Sequence, residues 1–274
     1  MLDKNFLDDY VKKNAIPPNT RRYLAEYLQS EILSILYDSK YGRHLSFLGG
    51  TSLRFVYKIE RFSEDLDFDL VKTGLDYAKL AKYLEKQLNE RGFLAETRVK
   101  KTENIFIIFV KFSEIMKQMG VSEFANQKIK IKFEVDPSPY KSLEYETKLV
   151  SAYGKTFNVI INTLPTLFAQ KILALKLRPY QKGRDFYDLV WFLAQKNVEP
   201  NYAILKEKGI KVKNREELIL ELEKIISKLD LKLAAADVRR FLFYPDQARW
   251  ILDLPKYLDG FSKESGLTRL PQKY

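Results

Sequence analysis

Two carboxylates spaced two residues apart, Asp65 and Asp67, follow a Gly-Gly-Thr stretch (Gly49, Gly50, Thr51), with residues 52–64 between them. In an extended strand alternate side chains share a face, so Asp65 and Asp67 project together while Leu66 and Phe68 enter a core. Adjacent carboxylates repel unless a cation neutralises them, and hard oxygen donors suit Mg²⁺. A turn of small residues bares backbone N–H groups that can hold phosphate oxygens. A phosphate cradle beside a carboxylate pair is the minimum equipment for handling a nucleoside triphosphate with its metal.

Further groups extend this chemistry. The segment KIKFEVD (130–136) alternates Lys130, Lys132, Glu134 and Asp136 against Ile131, Phe133 and Val135. Like charges on neighbouring strands destabilise a sheet, so Glu134 or Asp136 is a candidate third carboxylate beside Asp65 and Asp67. Three such acids would hold two metal ions and activate a hydroxyl for in-line attack on an α-phosphate. In FAQKILALKLRPYQKGRDFYDL (168–189), Lys171 and Arg178 fall on one helix face, and Asp185 and Asp188 open the next helix. Acids in a first turn also suit the helix dipole, and surface cations often pair locally, so these residues alone do not define a site.

The elements that must carry these groups are readable from periodicity. Residues 19–38 have the three-and-four spacing of a helix packed on one face, opened by Asn19 or Thr20. Residues 45–56 give a short apolar run, the Gly-Gly-Thr turn and a helix start. Strands are expected at 64–70, 93–101, 104–113, 127–136 and 156–162, with a helix at 76–91 stopped by Gly92 and a loop through GVSEFANQ. Asp69 and Asp38 have no role in this scheme and are expected to be solvated. Beyond Leu164-Pro165 only helical periods remain, at 165–178, 184–196, 214–229, 234–243 and 246–259, before a loosely held tail, SKESGLTRLPQKY. The expectation is an α/β (α+β) architecture. A catalytic domain with a mixed sheet (1–162) precedes a smaller helical domain (163–274), with the site in the cleft between them.

Composition narrows the chemistry. With no cysteine and one histidine, His44, thiolate chemistry is excluded, and His-based zinc sites or a Ser-His-Asp triad are improbable. His44 is read as structural. The first 20 residues mix acids and bases unlike a signal peptide, and no apolar run is long enough to span a bilayer, so a cytoplasmic, non-membrane protein is expected. The net charge of +11, from 47 Lys and Arg against 36 Asp and Glu, fits contact with a phosphate polymer.

The combination GGTSLR, RFSEDLDF, IKFEV and then K-x-x-A…R…RDFYDL, in that order, resembles the AbiEii/AbiGii-toxin family over about residues 20–195. That resemblance implies the minimal nucleotidyltransferase fold of the DNA polymerase beta superfamily and a Mg²⁺- or Mn²⁺-dependent transfer from an NTP. It assigns Gly49, Gly50 and Thr51 to the phosphate-holding turn and Asp65 and Asp67 to the metal. Glu134 stands where the strand motif carries its acid, with Asp136 as the alternative. Lys171 matches a helix lysine that contacts the triphosphate, and Asp185 and Asp188 match the RDxxDL acids. Arg54 and Arg61 flank the first motif and are expected to touch phosphate. The family further implies a toxin of a toxin–antitoxin or phage-defence pair with a cognate antitoxin. The +11 charge favours an RNA acceptor, tRNA 3′ ends first. Nucleotidylation of a protein hydroxyl, or a non-catalytic NTP-binding regulatory module, are the rival functions.

Overall fold

The computed structural model describes residues 4–120 and 127–264. Most of the expected loop GVSEFANQ, and the tail from residue 265, lie outside the described residues. The elements run α1 (Lys4–Lys13), α2 (Thr20–Tyr37), β1 (Leu45–Leu48), α3 (Gly49–Tyr57), β2 (Asp65–Leu70), α4 (Tyr77–Glu90), β3 (Leu94–Lys101) and β4 (Phe106–Ser113). They continue with α5 (Ile115–Gln118), β5 (Ile129–Asp136), β6 (Tyr145–Ala152), β7 (Lys155–Asn162), α6 (Leu164–Leu177) and α7 (Gly183–Leu193). Last come α8 (Tyr202–Glu207), α9 (Arg215–Ile226), α10 (Leu231–Arg239), α11 (Arg249–Leu252) and α12 (Leu254–Glu264). The chain divides into two units, residues 1–139 with 144–162, and residues 140–143 with 163–274.

The first unit is built on a seven-stranded mixed sheet in the order β3-β4-β5-β2-β1-β7-β6. The pairs β1–β7 and β2–β5 are parallel and the others antiparallel. Alternation along the central strands sends Phe47, Leu66, Phe68, Phe133 and Val135 to one face, all at most 1% exposed. Their rings stack across strands, with Phe47–Phe68 centroids 5.4 Å apart and Phe68–Phe133 4.3 Å apart. Burying each such ring is worth roughly 1.5–3 kcal/mol, which fixes the register of β2 against its neighbours. That register in turn decides where Asp65 and Asp67 stand.

Helix α2 departs from the one-faced helix expected for residues 19–38, since residues 26–36 are buried without interruption. Most of its polar side-chain groups are therefore matched inside the fold, the Gln29 Oε1 excepted. Glu26 receives Arg54 and the Tyr153 hydroxyl, and Gln29 Nε2 donates to the carbonyls of Ser63 (3.2 Å) and Glu64 (2.9 Å). Glu31 receives Arg91 and Lys155. Through Gln29 the helix fixes the stretch that leads into β2.

In the second unit the helices are separate and short, and their packing is close in places. A Cβ at Gly183, the first residue of α7, would overlap the Ala234 carbonyl of α10, so only glycine permits that approach. The Gly183 N–H is taken by the Asp237 carboxylate at 2.9 Å. No described helix is long and apolar enough to cross a membrane.

Candidate active site

Strand β1 runs directly into α3. Leu48, the residue before the helix, is extended (φ −144°, ψ −170°) and its side chain makes no capping hydrogen bond. The first-turn N–H groups of α3 therefore have no side-chain cap, which suits them to an anion. Gly49 has φ +79°, a left-handed conformation that glycine adopts without strain. A Cβ there would overlap Oδ2 of Asp67, so the backbone of the turn and that carboxylate lie against one another. Leu48 and Asp67 are register partners across β1 and β2, which explains the proximity.

Gly50 is bare for a different reason. A Cβ at this position would meet the Arg61 guanidinium and, at 2.8 Å, the Ser63 hydroxyl. Thr51 is fully buried and its hydroxyl donates to the Asp65 carbonyl. What Thr51 contributes is thus a tie between the helix start and the acidic strand, in place of a hydroxyl offered to phosphate.

The two arginines expected to touch phosphate are both engaged within the fold. Arg54 Nε and Nη2 donate to the two oxygens of Glu26 at 3.0 and 3.1 Å, and the pair is largely buried. Burial disfavours the Arg54 charge, but the charge and hydrogen bonds of Glu26 outweigh it and raise its pKa. Arg61 is 1% exposed, with Nη1 donating to the Phe62 carbonyl at 3.0 Å. A guanidinium so buried against Gly50 shapes the turn. Asp69, expected to be solvated, is buried and accepts from Asn162 Nδ2 at 2.7 Å, while Ser46 donates to Asn162 at 2.6 Å. Asp38 is exposed as expected. His44 is structural, its Nδ1 lying 3.0 Å from the Lys72 carbonyl.

The parallel pairing of β2 and β5 sets Asp65 beside Lys132, Asp67 beside Glu134 and Asp69 beside Asp136. Residues in register share a sheet face, so Asp65, Asp67, Lys132 and Glu134 stand together. The Glu134 carboxylate, however, goes to Lys132 Nζ at 2.7 Å. Among the described residues no three His, Cys, Asp or Glu side chains converge to hold a metal ion. The expected three-carboxylate cluster is thus not assembled, because the third acid is engaged by an ammonium. The alternative, Asp136, is exposed and accepts the Ser138 N–H at 2.8 Å as a turn cap.

Lys132 is the member that sequence reasoning passed over. Burial disfavours its charge, but the hydrogen bond and charge of Glu134, with the charges of Asp65 and Asp67, raise its pKa above the ordinary lysine value. Its charge offsets part of the repulsion between acids of two neighbouring strands. The same alternation that put Glu134 on the acidic face put Lys132 there too, and this was the available signal.

In the second unit, Lys171 of α6 lies between two acids of α7. Its Nζ is 2.9 Å from Asp185 Oδ1 and 2.7 Å from Asp188 Oδ2. Asp185 also receives Arg178, and Asp188 is fully buried. The helix-face spacing brings these four residues into one ion-pair network, which orders the turn from α6 to α7.

Comparison with known proteins is consistent with this geometry. A family model described as the nucleotidyl transferase AbiEii toxin of type IV toxin–antitoxin systems matches residues 31–254. No curated protein matches the chain. Among solved structures, JHP933 from Helicobacter pylori superposes with a TM-score of 0.56 at 17% identity, over 91% of this chain and 97% of that one. A provisional nucleotidyltransferase from H. pylori gives 0.55 at 19% identity, over 91% and 98%. At these identities the likeness speaks to fold alone. With the family model spanning most of its length, the chain belongs to the AbiEii family of nucleotidyl transferase toxins of type IV toxin–antitoxin systems, and it is a nucleotidyltransferase.

Proposed function

We propose that the protein moves a nucleoside monophosphate from an NTP to an RNA acceptor, with the 3′ end of tRNA as the first candidate. The observation that carries the site assignment is the contact between Gly49 and Asp67, which places a carboxylate against the uncapped N-terminus of α3. In that reading the first-turn N–H groups donate to phosphate oxygens of the NTP, aided by the helix dipole.

Asp65 and Asp67 fit a hard divalent cation. They are oxygen donors on one strand face, and the missing Gly49 side chain lets one of them, Asp67, lie directly against the turn. Mg²⁺ or Mn²⁺ held by Asp65 and Asp67 would offset the negative charge that builds on the phosphates during transfer. In the reaction the acceptor hydroxyl loses its proton to solvent as its oxygen bonds the α-phosphorus, the bond from that phosphorus to the α–β bridging oxygen breaks, and pyrophosphate leaves. The turn and the two acids contribute chiefly by positioning. For the second unit, the roles of Lys171, Asp185 and Asp188 come from the family motif. Each acid there already meets a cation, so we assign the network to holding the Lys171 ammonium at a fixed place. The family's toxin–antitoxin character implies an antitoxin partner.

The test is incubation with each labelled NTP, Mg²⁺ and total RNA or cell extract. Asp65→Ala and Asp67→Ala should each abolish labelling while circular dichroism stays that of the parent, since removing one of two repelling acids relieves strain. Labelling near the parental rate in either variant would refute the metal assignment.

A further inference from the structure

A second built pocket lies in the first unit and shares no residue with the acidic strands. Glu31 of α2 is 2% exposed and binds two cations at once. Arg91 Nη1, at the end of α4, is 2.8 Å from Oε2, and Lys155 Nζ, at the start of β7, is 2.7 Å from Oε1. Arg91 Nη1 also reaches the Ser34 hydroxyl at 3.4 Å. Tyr27 stands one turn before Glu31 on α2, and burial followed by the Glu31 charge raises its pKa. With Phe93 these side chains line a cavity of about 580 Å³.

The charge count in this cavity does not close. A buried carboxylate needs one partner to offset its desolvation. Here it has two, so the cavity carries a surplus positive charge while both cation side chains remain partly exposed, Arg91 at 36% and Lys155 at 28%. Glu31 engages one nitrogen of the guanidinium and one of the ammonium's three donors, leaving further N–H groups of both for a ligand. The buried acid also fixes where the two cations stand, which lowers the ordering cost of binding. Tyr27 and Phe93, each 8% exposed, give the cavity a drier wall than open solvent would.

We propose that this cavity is a phosphate-binding site, taking one phosphate group from a free nucleotide or from an RNA strand, with Arg91 and Lys155 as its donors. Two fixed cations and a hydroxyl match the several acceptor oxygens of a phosphate better than the two of a carboxylate.

The test is equilibrium binding of AMP, and separately of a 12-nucleotide single-stranded RNA, to the full chain in EDTA, where the carboxylate pair on the other strands repels phosphate. Lys155→Gln should weaken saturable binding by about tenfold, the loss expected for one charge-assisted hydrogen bond. Lys100→Gln, exposed on β3, should change it far less. Glu31→Gln should strengthen binding, because both cations are released from their internal carboxylate; a role limited to holding the fold together would not do this. Should Glu31→Gln fail to fold, Arg91→Gln and Lys155→Gln decide by weakening together. Binding of both probes points to a free phosphate group as sufficient, and binding of RNA alone points to the strand as source. Absence of saturable binding of either probe, or affinities indifferent to Lys155→Gln, overturns the proposal. Because no turnover is read, either result leaves the assignment of Asp65 and Asp67 untouched.

Discussion

Lys132 shows how much one side chain can alter the reading of an acidic face. Asp65, Asp67 and Glu134 stand on adjacent strands, and the ammonium at 2.7 Å from Glu134 lies in the field of all three. It therefore competes with any divalent cation for the same negative potential. Lys132→Met should raise affinity for Mg²⁺ or Mn²⁺, measured by calorimetry, by about tenfold or more. Removing a unit charge some 4 Å away is worth about 1 kcal/mol in water and about 4 kcal/mol near a protein surface. Glu134 is left only partly buried, so the fold should survive the change. Unaltered or weaker metal affinity would show that Lys132 is a plain surface partner of Glu134.

At the scale of elements, the α6–α7 network makes a contrasting case, because its charges are almost sealed. Lys171 is 12% exposed at its side chain and Asp188 is fully buried. Lys171→Met removes the ammonium that meets the two buried acids, and breaking such a buried pair costs about 3–5 kcal/mol. The expected outcome is a marked fall in the urea midpoint, largely recovered in Lys171→Met/Asp188→Leu. Loss of activity in Lys171→Met with an unchanged midpoint would instead place the lysine at the substrate. Strands with one buried face, such as β2, β4 and β5, were legible because alternation is a local signal. The strand β6 (Tyr145–Ala152) was not, since only Val150 and Ala152 of it are buried and its sequence, YETKLVSA, carries little apolar contrast. Helix α1 went unread as well, because only Leu7 and Val11 of it are buried. The internal partners of the arginines were hidden for a further reason. Arg54 is bound by Glu26, 28 positions earlier, and a pairing set by tertiary packing leaves no mark on local spacing. By contrast, Gly49 and the acidic pair were legible because a helix start and a strand face fix their geometry within a few residues.

At the scale of the molecule, the surplus of 47 basic over 36 acidic residues bears on the acceptor. Many basic side chains are bound to acids within the fold, as at Glu26, Glu31 and Asp185, so the count of 47 overstates the free cations available. The net surplus of +11 is untouched by such pairing, since a pair removes one charge of either sign. An RNA acceptor exploits that surplus by releasing counterions, and with about 4–6 phosphate contacts the log–log dependence of affinity on salt should have a slope near −3 to −4. A protein acceptor has no polyanionic backbone, so its binding should depend on salt far more shallowly. Affinity for tRNA measured between low and moderate salt distinguishes the two, with the labelled product challenged in parallel by ribonuclease and protease. A steep slope with ribonuclease-sensitive label is the expected result. Label that resists ribonuclease and yields to protease, with a flat salt response, would move the acceptor from RNA to a protein hydroxyl while leaving the transfer chemistry of Asp65 and Asp67 in place.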